Sequence, residues 1–512
     1  MRISVALRAL SFALGLILCA AAPARADFLR AETEHFVIQG EVSRGDITEY
    51  ARKVERFHDM LEMFLPPEND EFEAPKLWIY LAANTATMRQ AWPGVSENVG
   101  GFYSRNDGRI YAVVNLSNED NDTTLFHEYA HHYMFQYHNK AYPGWFVEGF
   151  AEYFAPSDLR MGRIRYGLLR AGRLYALAPP NPWIPMETLL SERPDLGSAQ
   201  QASAYYAQAW LLTHYMLGNP TRHTQFSRYL AAVQNGEESL AAFQAHTDQT
   251  PEQLRRNLRA YLGGTVPGFT LTQALPVAEV TVTALPPSTE DAIWLDLRSM
   301  RSLGDDKDAL LQRVRDMAAR HPGDRLPTVT LAKYLLKADL PAEAITTLEP
   351  VIAADPADAE ALWLIASAQM DVADDTDDEA ARTALMRQAL RHLGAAYEAD
   401  PFDFRIYMAM SRNRQGAPGY PSDNDLTIAE SAYRLAPQLG STAMRAAQVL
   451  MAKDKYLEAV MVLSPLANNP HDGGDLASVR DLLARARERA GLEPVSTDAP
   501  PPVEETTEPA AD

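Results

Sequence analysis

The chain has 512 residues, with 47 Lys+Arg against 68 Asp+Glu and a formal net charge of −21 at pH 7. That length suits two or three domains, each with a substantial core. The acidic balance excludes nucleic acid and anionic lipid as general partners, because phosphate surfaces repel it.

Residues 1–26 read as an export signal. Arg2 and Arg8 make a positive start, Ala9 to Ala22 is an apolar run too short for a membrane span, and Ala24-Arg25-Ala26 offers a cleavage site. Leu18 before Cys19 departs from a lipoprotein signal. The expectation is an exported, periplasmic or secreted protein that begins at Asp27, keeps no cysteine and so no disulfide, and has no stable membrane span.

The chain then predicts a strand over Glu34–Ile38, a helix from Asp46 to Phe64 and a second strand over Lys76–Leu81. His35 reads as a strand residue, since nothing in the sequence places another donor beside it. Gly100–Ser104 and Arg109–Val114 flank Asn106-Asp107-Gly108, a hairpin turn signal.

Next comes Thr123-Thr124-Leu125-Phe126-His127-Glu128-Tyr129-Ala130-His131-His132. Asp122, Thr123 or Thr124 can cap this helix. His127 and His131, four apart, share one helix face and can offer two imidazoles to one ion. Glu128 lies within reach of a water on that ion, in an H-E-x-x-H pattern. His132 points about 100° away from His131. His138 sits near the helix end, solvated or facing the helix dipole. A catalytic zinc takes three protein ligands, so a third is expected downstream. The second helical stretch, Trp145–Phe154, carries Glu148 and Glu152 on one face. Residue pattern alone leaves either as the ligand.

H-E-x-x-H followed by E-G-x-A-E-Y resembles the gluzincin zinc metallopeptidases, the clan of thermolysin and the zinc aminopeptidases, and is most similar to bacterial peptidase MA-like families. The resemblance covers roughly residues 28–262. It implies an α+β domain of a small sheet plus active-site helices, holding one zinc ion (Zn2+) on His127, His131 and Glu148. It also implies that Glu152 hydrogen-bonds a ligand histidine and fixes its tautomer. In gluzincins an edge strand before the zinc helix pairs with substrate backbone, a role that falls here to Tyr111–Val114. Related aminopeptidases carry an oxyanion-stabilising tyrosine at the head of a later helix. Tyr206 matches it, although Ala209 stands where the family has glycine, and Tyr205 is the alternative. No Gly-x-Met-Glu-Asn segment for gripping a free amino terminus occurs, so an endopeptidase is preferred.

Arg160, Arg163, Arg165, Arg170 and Arg173 form a basic run, read either as a solvated face with local ion pairs or as a preference for acidic substrates. Helices are expected from Ser203 to about Leu217 and on to Leu262, closing a metallopeptidase domain over 27–265. Gly and Pro mark residues 266–290 as a linker with one short strand near Val280–Val282.

Over 291–492 the pattern is all-α. Asp355-Pro356, Asp400-Pro401, Ala436-Pro437 and Asn469-Pro470 recur at spacings of 45, 36 and 33 residues, one unit being lengthened by the acidic insert Asp371–Glu379. With Leu340–Ala344 and Tyr456–Ala459 as starts of second helices, this resembles tetratricopeptide (TPR) repeats and implies a protein partner. Residues 493–512 are rich in Pro, Glu and Thr and are expected to be disordered. The expected activity is hydrolysis of a protein or peptide substrate by a zinc-bound water that Glu128 activates. The competing reading is an exported repeat scaffold whose zinc domain is structural or inactive.

Overall fold

The computed structural model describes residues 27–67, 73–160, 162–191, 196–467 and 476–492. The export signal, the C-terminal tail and the Asn469-Pro470 junction lie outside the described residues. Among those residues the protein is mostly helical, with twenty-one α-helices around a mixed six-stranded sheet and a second, three-stranded one.

The first elements are β1 (Phe28–Glu32), β2 (Phe36–Glu41), α1 (Arg44–Phe64), β3 (Leu77–Ala82) and α2 (Thr85–Ala91), then the hairpin β4 (Gly101–Asn106) and β5 (Arg109–Asn115). Ser43 caps α1 by accepting from the Asp46 N–H, and Ile47, Ala51, Val54, Phe57 and Leu61 bury one helical stripe. The hairpin closes where expected. Asn106 Oδ1 accepts from the backbone N–H groups of Gly108 and Arg109, at 2.9 and 3.2 Å.

Two helices follow, α3 (Asn121–His138) and α4 (Gly144–Phe154). α3 begins one residue before the candidate caps, which do other work: Asp122 binds Lys53, and Thr124 bonds the Asp120 carbonyl. The chain continues through β6 (Asp158–Arg160), β7 (Arg163–Tyr166), α5 (Ala171–Leu177), α6 (Met186–Leu190) and α7 (Ala199–Leu217). Next are α8 (Pro220–Gln234), α9 (Ser239–Thr247), α10 (Pro251–Gly263), β8 (Phe269–Leu271) and β9 (Thr281–Ala284).

The main sheet has the order β4-β5-β3-β2-β1-β9, with β2, β3 and β5 parallel at its centre. Parallel strands are buried on both faces. Ile38, Ile79, Ala112 and Val114 pack towards α1 and α3. Tyr80, Tyr111 and Val113 pack on the other side, against α2 and the helix α11 (Ser288–Ser299), which contributes Ile293, Trp294 and Leu297.

The short strand expected near Val280–Val282 forms as β9, and it hydrogen-bonds β1 as the far edge of the main sheet, while β8 joins β7 in the small sheet. One expectation is corrected: Tyr111–Val114 is not an edge segment. It lies in β5, with β3 on one side and β4 on the other, because the hairpin folds β4 outward to the edge.

Helix α4 is buried along its length and crosses α7 closely. A Cβ added at Gly149 would lie 2.1 Å from Thr213 Oγ1 and 2.6 Å from the Ala209 carbonyl oxygen. Glycine at 149 is therefore what lets α4 approach α7. Gly149→Ala is expected to destabilise the protein by about 1–3 kcal/mol through overpacking, measured by chemical denaturation. An unchanged midpoint would show that α7 can retreat freely.

The rest of the chain is helical: α12 (Lys307–Arg320), α13 (Arg325–Lys337), α14 (Pro341–Ala354), α15 (Ala359–Asp374), α16 (Glu379–Ala399), α17 (Phe404–Arg414), α18 (Asp423–Leu435), α19 (Gly440–Ala452), α20 (Tyr456–Ala467) and α21 (Leu476–Arg489). Each helix from α13 onward packs on the next, forming hairpins that bury Ala, Leu and Val. Asp355, Asp400 and Ala436 end α14, α16 and α18, each just before a proline that cannot continue the helix. The acidic insert spans the α15–α16 turn. No helix among the described residues is long and apolar enough to cross a membrane.

The repeats dock on the first domain rather than hanging from it. Ile110 packs with Phe404, Leu435 and Leu439. Arg405 donates to the Gly108 carbonyl at 3.0 Å, and Gln438 donates to Gln136 on α3 at 3.1 Å. Between the two parts lies Glu360, flanked by Lys333 at 2.8 Å, Arg325 at 3.0 Å, Arg109 at 3.3 Å and Arg405 at 3.5 Å.

Candidate metal centre

The centre is built where α3 passes α4. Helical spacing puts His127 and His131 one above the other, and α4 brings Glu148 against both. His127 Nε2 and His131 Nε2 are 3.1 Å apart. Glu148 Oε2 lies 3.6 Å from the first and 3.4 Å from the second. A tetrahedral ion with bonds of about 2.0–2.1 Å keeps its ligand atoms roughly 3.3 Å apart. The three separations fit such an ion, and no other His, Cys, Asp and Glu set among the described residues converges in this way.

The same crossing sets the two carboxylates at different nitrogens. Glu152, one turn beyond Glu148, meets the other nitrogen of the His127 ring, with Oε1 3.4 Å from Nδ1. One histidine thus has a carboxylate at each nitrogen. The electrostatics call for positive charge here. Burial alone would lower the His127 pKa, yet Glu148, Glu152 and Glu128 together push it up to about 9.

Arg173 is the residue that sequence reasoning did not single out. Of the basic run, Arg160 and Arg163 pair with Asp158, and Arg170 with Asp120, the first two being exposed and Arg170 half-buried. Arg173 instead grips Glu152 with two hydrogen bonds of 2.8 and 2.6 Å. Burial would raise the Glu152 pKa, but the bonds and charge of Arg173 hold it down. No spacing rule could reveal this contact, since a β-hairpin separates residues 152 and 173.

Tyr206 and Tyr205 separate cleanly. Tyr205 is buried in the core. Tyr206 has its ring 6.3 Å from that of His127, with the Arg173 guanidinium over it at 5.2 Å. The charge of Glu148, then burial and the charges of Glu152 and Glu128, raise its pKa well above the ordinary tyrosine value, so the hydroxyl stays protonated at neutral pH. Glu128 is half-buried, close enough to act electrostatically on His127, Tyr206 and Tyr103.

The remaining histidines stay out of the centre. His132 is buried and bonds the Tyr103 hydroxyl at 2.9 Å, and burial lowers its pKa to about 3. His138 departs from the expectation of a solvated side chain: it is buried, its Nε2 2.9 Å from the Leu65 carbonyl oxygen. His35 lies in the turn before β2 and does have neighbours, Glu55 at 2.9 Å and a stacked His58 ring at 3.6 Å. Those partners come from α1, whose packing against this turn the sequence could not place.

Strand β4, the true sheet edge, runs beside α3, with Gly100 near Thr124 and Tyr103 at His132. The Asn115 N–H donates to the Gly100 carbonyl at 2.9 Å. In an antiparallel ladder this parity turns the backbone groups of Gly101 and Tyr103 away from β5, towards the side of β4 that pairs with no strand among the described residues; Gly101 is buried there and Tyr103 partly exposed.

No curated protein matches the chain. Among solved structures, the crystal structure of TTC0263, a thermophilic TPR protein in Thermus thermophilus, is similar at 19% identity over 36% of this chain and 91% of that one, with a TM-score of 0.29. Residues 121–235, which hold all six site positions from His127 to Tyr206, match a family described as a protein of unknown function, DUF1570.

Proposed function

We propose that this chain is an exported zinc-dependent peptidase of the gluzincin type, cleaving within protein or peptide substrates, whose TPR-like repeats bind a protein partner. The carrying observation is the spacing of the three donor atoms: 3.1, 3.4 and 3.6 Å between His127 Nε2, His131 Nε2 and Glu148 Oε2.

Zinc on those residues supplies Lewis acidity towards a peptide carbonyl and an acidified water at neutral pH. Glu128 takes a proton from the attacking water on its carboxylate and passes it to the leaving amide nitrogen, so the C–N bond breaks with acid and amine as products. The Tyr206 hydroxyl, protonated at neutral pH like an ordinary phenol and more so beside these carboxylates, donates to the oxygen where negative charge develops. Glu152, with Oε1 3.4 Å from His127 Nδ1, favours the proton on that nitrogen and so leaves Nε2 for the ion. The edge strand β4 offers the partly exposed Tyr103 backbone to an extended substrate strand.

The test is metal content followed by turnover. Purified protein is expected to hold one zinc per chain and to cleave an unfolded protein substrate, and His131→Ala is expected to lose both. Protein that takes up no zinc would end this reading. One bound zinc without cleavage of any peptide in a diverse library would favour the scaffold with a structural zinc.

A further inference from the structure

We infer that Arg173 is a positioning residue that sets the zinc affinity of the centre by holding Glu152 against His127. This rests on the peptidase reading above and names a residue that neither the motifs nor the ligand set includes.

The geometry runs through a single carboxylate. Arg173 Nε donates to Glu152 Oε2 at 2.8 Å and its Nη2 to Oε1 at 2.6 Å, a fork that fixes the plane of the carboxylate. Oε1, so fixed, is the atom that faces His127 Nδ1 at 3.4 Å. The partner of a ligand histidine determines which ring nitrogen carries the proton and how the ring is aimed. Arg173 therefore acts on the ligand one step removed. Its guanidinium also covers the Tyr206 ring at 5.2 Å, so the same group steadies the residues behind and in front of the centre.

A plain surface ion pair would not behave this way. The Glu152 side chain is 5% exposed and that of Arg173 20%, against 37–70% for Arg160, Arg163 and Arg170. Without Arg173, Glu152 would be a buried carboxylate one helical turn from Glu148, with no two-point grip to hold its rotamer. It could then turn from Nδ1 towards the ion and compete with Glu148. Lysine at 173 would restore the charge but not the two-point grip, because an ammonium is a point donor.

The experiment measures the zinc dissociation constant by chelator competition for the wild-type full chain, Arg173→Ala, Arg173→Lys, Glu152→Ala and the Arg173→Ala/Glu152→Ala double variant. Circular dichroism of the chelator-treated proteins checks that each is folded. The expected result is a roughly 10–100-fold weaker affinity for Arg173→Ala, a partial recovery with lysine, and no further loss when Arg173→Ala is added to Glu152→Ala. If the alanine variant unfolds, Arg173→Lys still reads the loss of the fork. A wild type with tight zinc and an Arg173→Ala variant with the same affinity would overturn the positioning role alone, as would additive losses in the double variant. A wild type without zinc affinity would overturn the role together with the peptidase reading.

Discussion

Glu128→Gln is expected to lose about two to four orders of magnitude in the rate of peptide hydrolysis while keeping its zinc. The amide has the shape of the carboxylate, and Glu128 is not one of the three converging donors. The ion should therefore stay on His127, His131 and Glu148. What disappears is the acceptor for the water's proton, because an amide oxygen is too weak a base at neutral pH. Initial rates on an unfolded protein, set beside zinc measured on the same preparations, separate the two quantities. Activity within a few-fold of wild type, with zinc at full occupancy, would remove Glu128 from the chemistry.

The second large effect concerns stability. Glu360 sits among Lys333, Arg325, Arg109 and Arg405, the first two and the last from the repeats and Arg109 from the β4–β5 hairpin. Arg109 also donates to the Tyr80 hydroxyl at 2.6 Å, which ties the cluster to the centre of the sheet. Removing one member of a buried ionic cluster leaves its partners desolvated and unbalanced, at a cost of about 3–5 kcal/mol. Glu360→Ala is expected to lose that much in chemical denaturation and to loosen the docking of the repeats, seen as faster proteolysis between β9 and α13. A loss below about 1 kcal/mol would mean that Asp296, Asp358 and Asp403 nearby balance the cations unaided.

The pH dependence of that cluster has a definite sign. Burial would raise the Glu360 pKa, but Lys333, Arg109, Arg405 and Arg325 bring it well below the ordinary glutamate value. Its contribution is thus complete above about pH 4.3, the unfolded glutamate value, and is lost as pH falls through the depressed folded value.

Much of the chain was legible locally. The Asp107-Gly108 turn, the α1 stripe and the proline-closed hairpins follow from turn chemistry and the periods 2 and 3.6, which neighbours in sequence impose. The edge strand and the partner of the short strand near Val280–Val282 were not legible, because pairing partners can be far apart. β9 finds β1 some 250 residues away, and which strand of a hairpin faces outward depends on what occupies the other side. His58, behind His35, escaped for the same reason.

The amino-acid order alone determined that two imidazoles share a helix face with a glutamate beside them and that a second helix offers two carboxylates, since positions four apart are neighbours on any α-helix. That same rule made Glu148 and Glu152 equivalent. Only the crossing of α3 with α4, held close to α7 at Gly149, gave one carboxylate to the Nε2 pair and the other to Nδ1. The tertiary structure likewise put Tyr206 beside His127 and Tyr205 in the core, and took Arg173 out of a basic run to clasp Glu152. Helical period fixes angles about one axis, whereas the distance between side chains on different helices depends on how those helices pack.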